Sequence, residues 1–351
     1  TGKLSRHGAT WRCFSSSKSR LDVAKGGDCF VSNHAAEAAL IKTKQHIEET
    51  KGKIIASISG GADSDVMLDL IERARGGRSV EYNWFNTGLE YDATKRHLNY
   101  LRQRYGIEIH EHRATKPVPI SCKEYGQPFL SKQVAMYIGR LQRHGFDWSN
   151  EPYDTLVEKF PKCQSALKWW CNAWGDKSRF NIERNFSLKE FMTANPPWFK
   201  ISDKCCEYAK KAIAHEIEKQ SGAELSMVGL RQSEGGVRAV RIKSCFTPRG
   251  KQIAQFRPLF WMTDDDRSQY EAEHHIVHSD CYSVYGLSRT GCACCPFGSR
   301  FENELEVAQK YEPKLYQAVN NIFGDSYQYT RMYREFKKNR RNKEEPCREE
   351  P

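Results

Sequence analysis

Apolar positions fall along this chain in two alternating rhythms. Ile54, Ile55, Ala56, Ser57 and Ile58 form a short, β-branched run of the kind that makes a strand buried on both faces. Val66, Met67, Leu68, Leu70 and Ile71 follow at helical spacing. Upstream, Asn33 is placed to cap an amphipathic helix over HAAEAALIKTKQHIEETKG that ends at Gly52. Downstream, residues 80–85 read as a second strand, a helix runs to about Tyr105, and residues 107–112 read as a third strand. Lys204, Cys205 and Cys206 open a further helix to about Gln220, ahead of a strand over 225–228. Strands alternating with helices predict an α/β fold, a parallel sheet flanked by helices.

Residues 116–200 break that rhythm. Pro117, Pro119 and Pro128 interrupt it, tryptophans gather at 148, 169, 170, 174 and 198, and residues 131–144 and 156–174 read as helices. This stretch is expected to be a helical insertion over the active edge of the sheet. Its basic residues Arg140, Arg143, Lys159, Lys162, Lys168, Arg179 and Arg184 suit the clamping of a base or a single strand. Tryptophans more commonly form the core of such a subdomain, and that is the reading preferred here. The expected organisation is therefore a basic flexible arm (1–32), an α/β domain (33–115 and 201–300), the insertion (116–200), and a charged helical tail (301–351). From Arg331 onward the tail is expected to be mobile, because its apolar periodicity is weak.

Charge and cysteine usage narrow the partners. The formal net charge of +11 favours polyanions such as nucleotides or nucleic acid, although much of it lies near the two ends. There is no apolar run of the length a membrane span needs, and the first residues lack the apolar core of a signal peptide. Thirteen cysteines, some as CC and CxCC, point to a reducing, cytoplasmic compartment and to metal or redox chemistry.

Between the first strand and its helix stand Ser59, Gly60, Gly61, Ala62, Asp63 and Ser64. Glycines let a ligand approach the backbone, and free N–H groups at a helix start favour an anion. The motif fits neither GxxxxGK[ST] nor GxGxxG. A plain glycine turn capped by Asp63 or Ser64 is the alternative. SGGADS resembles the pyrophosphate-binding loop of the ATP-pyrophosphatase superfamily, which includes the phosphoadenosine-phosphosulfate (PAPS) reductase family. Other segments resemble the same family: Thr87-Gly88-Leu89-Glu90 after the second strand, GLRQSEGGVR from Gly229 to Arg238, and CYSVYGLSRTGCACCPFG from Cys281. The resemblance implies an adenine-nucleotide α-hydrolase-like fold. It implies that ATP and Mg2+ are bound by Ser57, Ser59, Gly60, Gly61, Asp63, Ser64, Thr87, Gly88, Glu90, Gly229, Arg231 and Glu234. Asp63, Arg231 and Arg238 are the implied catalytic residues; a guanidinium fork matches two phosphate oxygens.

Cys205 and Cys206 together with Cys292 and Cys295 are similar to the cysteine pattern by which assimilatory adenylyl-sulfate reductases hold a [4Fe–4S] cluster. Four thiolates suit the cluster, while structural zinc, free thiols or a redox disulfide remain alternatives. Lys210 stands where those reductases carry a lysine. Cys294 is expected beside the cluster or exposed, and Cys13, Cys29, Cys122, Cys163, Cys171, Cys245 and Cys281 as small buried hydrophobes.

Two departures decide the expected chemistry. SGGADS is the full loop of ATP-cleaving members, and the tail cysteine, Cys347, lacks the reductases' Glu-Cys-Gly setting and lies among carboxylates that weaken a thiolate. The implied activity is adenylation of an acceptor for sulfur transfer, similar to DNA phosphorothioation and tRNA thiolation proteins, with a sulfur donor such as a cysteine desulfurase. The alternatives are a sulfonucleotide reductase using Cys347, and a non-catalytic protein that binds nucleotide and nucleic acid.

Overall fold

The computed structural model describes residues 33–234, 242–250 and 252–344. The arm 1–32, Arg238 and Cys347 lie outside the described residues. A six-stranded sheet runs in the order β3-β2-β1-β4-β6-β5. Its strands are β1 (Ile54–Ser57), β2 (Glu81–Asn86), β3 (Ile109–Arg113), β4 (Leu225–Val228), β5 (Phe246–Thr247) and β6 (Ala254–Phe256). All neighbours pair in parallel except β5, which is antiparallel to β6. β1 is central and therefore buried on both faces, as its unbroken apolar run requires.

Helix α1 (His34–Glu49) is capped by Asn33, whose side chain accepts from the Ala36 amide, and packs on α2 (Ala62–Ala74). α2 presents buried residues on every side, with Val66, Met67, Leu68, Leu70 and Ile71 all in the core beneath the sheet. The order reverses beside β1, with β2 on one flank and β4 on the other. The carboxyl ends of the strands there form the crevice in which open α/β sheets bind ligands.

Several expected elements differ in extent. The helix expected over 156–174 is broken into Tyr153–Lys159, a 3₁₀ turn at Pro161–Cys163, and Gln164–Trp170. Pro161 explains the break, since it lacks the N–H that a continuous helix needs. The helix from Lys204 passes through a π turn at Glu207–Lys211 before resuming as Ala212–Gln220. β5 and β6 were not anticipated; two and three residues are too short to leave a periodic signal.

The insertion has its own core, in which Trp148, Trp169 and Trp170 are buried, whereas Trp174 and Trp198 are exposed. The expectation of a mobile chain from Arg331 is corrected. A single helix runs from Pro313 to Glu344; Tyr329 and Tyr333 enter the insertion's core, and Phe323 and Tyr327 enter a third core around the cysteines. Aromatic anchors spaced along one helix carried what a weak aliphatic period concealed. Among the described residues no helix is long and apolar enough to cross a membrane.

Candidate active site

The loop between β1 and α2 is organised by Ser64. Its Oγ accepts from the Ser59 and Gly61 amides, each at 3.2 Å, and donates to the Gly61 carbonyl at 2.8 Å. Gly60 has φ +68°, a conformation that L side chains rarely adopt. A Cβ at Gly61 would stand 2.9 Å from Thr290 Oγ1 and 3.3 Å from Tyr282 Oη, so the loop is a tight cradle. The Ala62 amide, at the start of α2, donates to Tyr282 Oη at 3.0 Å. That hydroxyl oxygen takes the place an anion's oxygen would take at a helix N-terminus.

Two cavities meet at this loop. The smaller, about 160 Å³, is lined by Ser57, Ile58, Ser59, Trp84, Phe85, Glu90 and Thr94, with Lys210, Thr290 and Gly291. The larger, about 420 Å³, shares Ser59, Lys210, Thr290 and Gly291 and adds Gly61, Ala62, Asp63, Ser64, Gly229 and Glu234. Lys132, Arg289, Cys206, Cys292 and Cys295 also line it, with Tyr91, Tyr282, Phe297 and Glu304. The loop residues other than Gly60 and three of the four expected cysteines thus share one cavity.

Thr87, Gly88 and Glu90 form a turn closed on itself. The Glu90 carboxylate accepts from the Thr87 amide at 2.8 Å and the Thr87 hydroxyl at 2.5 Å, and Thr87 Oγ1 lies 3.4 Å from Cys292 Sγ. Gly88, with φ +81°, turns the chain there. Arg231 is 5% exposed and committed to protein partners. Its Nε donates to Asp63 Oδ1 at 2.8 Å, and its terminal nitrogen donates to Ser233 at 2.9 Å and Asp264 at 2.7 Å. Arg267 donates to the same Asp63 oxygen at 2.9 Å. The Asp63 carboxylate charge is therefore already balanced by its two guanidinium partners.

Sequence reasoning missed the groups behind the loop. Asp65 is fully buried on α2, and its Oδ2 is 2.9 Å from His97 Nε2 and 2.8 Å from His278 Nδ1. His278 Nε2 is 3.1 Å from Glu271, which also pairs with Arg267 at 3.0 Å. Burial opposes charge on His278, but the hydrogen bonds to Asp65 and Glu271 outweigh it and raise its pKa to about 9. The signal was present: Asp65 and Asp69 interrupt an otherwise apolar helix, and a buried acid demands partners. Their identity was not legible, because His97 and His278 come from distant segments.

The cysteines divide by environment. Cys206, Cys292 and Cys295 face the cavity, and Cys205 is buried and hydrogen-bonded to Cys122 and Cys206. The bond to Cys122 pushes the Cys205 thiol up; Cys206 is pushed up by its bond to Cys205, and burial pushes Cys295 up to about 12. Lys210 is exposed and lines both cavities, and the neighbouring Cys292, Glu90, Cys206 and Cys295 raise its pKa. Cys294, expected beside the cluster or exposed, is fully buried: its thiol donates to the Glu304 carbonyl at 3.3 Å and meets Tyr91 Oη at 3.9 Å. Its φ of +52° turns it away from its neighbours. Cys163 and Cys281 are buried as expected, whereas Cys171 and Cys245 are half-buried.

Cysteine sulfurs lining one cavity suit a thiophilic group, zinc and an iron–sulfur cluster alike. Among the described residues no group of three or more His, Cys, Asp or Glu stands close enough to hold a metal ion.

Residues 53–136 match the model of the phosphoadenosine phosphosulfate reductase domain. No curated protein matches the chain. Two solved structures are similar at low identity. A phosphoadenylyl-sulfate (PAPS) reductase from Candida auris in a phosphate complex is 12% identical, with 76% of this chain and 98% of that one covered and a TM-score of 0.40. The U34-tRNA thiolase NcsA from Methanococcus maripaludis, with its [4Fe-4S] cluster, is 13% identical, with 86% and 80% covered and a TM-score of 0.34.

Proposed function

We propose that this chain is an ATP-pyrophosphatase-type enzyme that adenylates an acceptor for sulfur transfer, with nucleic acid as the acceptor class. The observation that carries the reading is the single cavity walled by the Ser59–Ser64 loop on one side and by Cys206, Cys292 and Cys295 on the other. The smaller cavity, with Ile58, Trp84 and Phe85, suits an adenine ring, and the larger suits phosphates and the acceptor.

An acceptor oxygen forms a bond to the α-phosphorus as the bond to the bridging oxygen breaks. Pyrophosphate leaves, and the acceptor carries AMP. A sulfur nucleophile from a donor such as a cysteine desulfurase then displaces AMP. The amides at the start of α2 and Lys210 stabilise charge on the phosphate oxygens. Asp63 is the loop carboxylate available to Mg2+, a cation commonly held by one or two carboxylates and substrate phosphates. Arg231 and Arg267, which share its Oδ1, hold that carboxylate in place. Cys205, Cys206, Cys292 and Cys295 would hold a [4Fe–4S] cluster, which supplies a thiophilic site for handing over sulfur.

Incubation with ATP labelled at the α-phosphorus, together with candidate RNA or DNA acceptors, tests the reading. AMP and pyrophosphate formed in step with acceptor modification support it. Their absence with every acceptor, in iron-replete protein, removes it.

A further inference from the structure

The insertion carries a surface that its own core does not use. The Gln164–Trp170 helix buries Ala166, Leu167, Trp169 and Trp170 and leaves Gln164, Ser165 and Lys168 on its outer side. At one end of that outer side is a concavity of about 550 Å³ lined by Arg140, His144, Pro161, Lys162, Gln164 and Ser165, with no acidic residue in its wall. At the other end, Lys168 Nζ lies 5.3 Å from the ring centre of Trp174. Trp174 in turn stands 6.1 Å from Phe180, over which the Arg179 guanidinium lies at 4.9 Å. Both rings are 38% exposed, although large apolar rings are ordinarily withdrawn from water.

We propose that this surface is a track for single-stranded nucleic acid. Gln164 and Lys168 are one helical turn apart and so lie on the same side of the helix, which makes the concavity and the ring pair one continuous path. The chemistry along it alternates as a single strand requires. The basic concavity takes a backbone phosphate, Lys168 a second, and Trp174 and Phe180 offer faces on which successive bases stack. A duplex would not offer its base faces to these rings.

The path leads back to the candidate active site. The helix Lys132–Arg143 has Lys132 in the wall of the larger cavity and Arg140 in the concavity, with His144 following its last turn. Twelve residues of helix span about 18 Å, a distance of a few nucleotides. This inference rests on the reading that the acceptor is nucleic acid, and it names the form in which the acceptor is held.

Fluorescence anisotropy of the full chain with labelled single-stranded RNA and DNA, and with a duplex of the same length, tests the track without ATP. The expected result is tighter binding to a single strand than to duplex, and the RNA and DNA arms identify which polymer is held. Trp174→Ala and Phe180→Ala each weaken that binding by roughly fivefold or more, and Trp174→Phe restores most of it. Lys162→Glu, at an exposed position in the concavity that cannot unfold the core, also weakens it. Lys168→Ala lowers the slope of log K against log salt by about 0.7. Preference for duplex, no binding by the wild type, or equal binding by wild type and every variant overturns the proposal. AMP formation measured separately distinguishes this outcome from failure of the enzymatic reading, since these residues lie outside the nucleotide cavities.

Discussion

At Asp63 two guanidinium groups meet one carboxylate oxygen, and that pairing sets what substitution there does. Asp63→Ala removes the loop carboxylate and one of the two carboxylates paired with the nearly buried Arg231. AMP formation is expected to fall by roughly 100-fold or more, the scale of losing one charge-stabilising group, and Asp63→Asn should keep more stability than Asp63→Ala while remaining inactive. Gly61→Val places a side chain where Thr290, Ser59 and Tyr282 already crowd the cradle, and should abolish nucleotide turnover with little change in circular dichroism. The histidine behind the loop predicts a pH dependence. Because the His278 pKa is raised to about 9 in the fold, its contribution is fully present below the unfolded value near 6.5 and is lost as pH rises through about 9. Thermal melts should therefore show stability declining between those values, by up to roughly 3 kcal/mol, and His278→Gln should flatten the decline. The glycine loop was legible because its residues are contiguous between a strand and a helix. The Asp65–His97–His278 group was not, since its members come from α2 (Ala62–Ala74), α3 (Asp92–Tyr105) and a loop far along the chain.

At the scale of elements, a turn of one residue decides which cysteines face the cavity. In Cys292-Ala293-Cys294-Cys295, the left-handed backbone at Cys294 sends its thiol into a buried pocket with Tyr91 and Glu304, while Cys292 and Cys295 face the loop. Anaerobically purified protein is expected to be brown, with about four irons per chain. Cys206→Ser or Cys292→Ser should bleach it, whereas Cys294→Ala should keep its iron. Colourless protein with one zinc per chain would replace the cluster with a structural zinc site. Iron lost on changing Cys294 would mean that the thiols are shared differently. The π turn at Glu207–Lys211 follows the adjacent cysteines directly and sets Lys210 into both cavities. Such turns commonly mark functional positions in helices, and no residue pattern in the sequence announces one.

On the scale of the whole molecule, the helix from Pro313 to Glu344 ties the insertion to the cysteine region. It contributes Tyr329 and Tyr333 to one core and Phe323 and Tyr327 to the other, and Phe297, in the wall of the larger cavity, packs against both cores. Phe323→Ala should cost about 3–5 kcal/mol in denaturant unfolding, a loss that a solvated appendage would not show. Removing residues 345–351, Cys347 among them, should leave ATP cleavage unchanged, and no sulfite should be released from a sulfonucleotide. Sulfite release that disappears in Cys347→Ser would make the protein a reductase. From sequence alone came the α/β class, the central strand, the glycine loop that follows it and the spacing of the two cysteine pairs, because each is written in contiguous residues whose spacing is set by backbone geometry. Tertiary structure alone decided that the loop and the cysteines share a cavity and that Arg231 is held by Asp63. It also decided that Trp169 and Trp170 are core while Trp174 stays at the surface. Those outcomes depend on which distant segments are brought together and which face each side chain is left to present, and local periodicity carries no information about either.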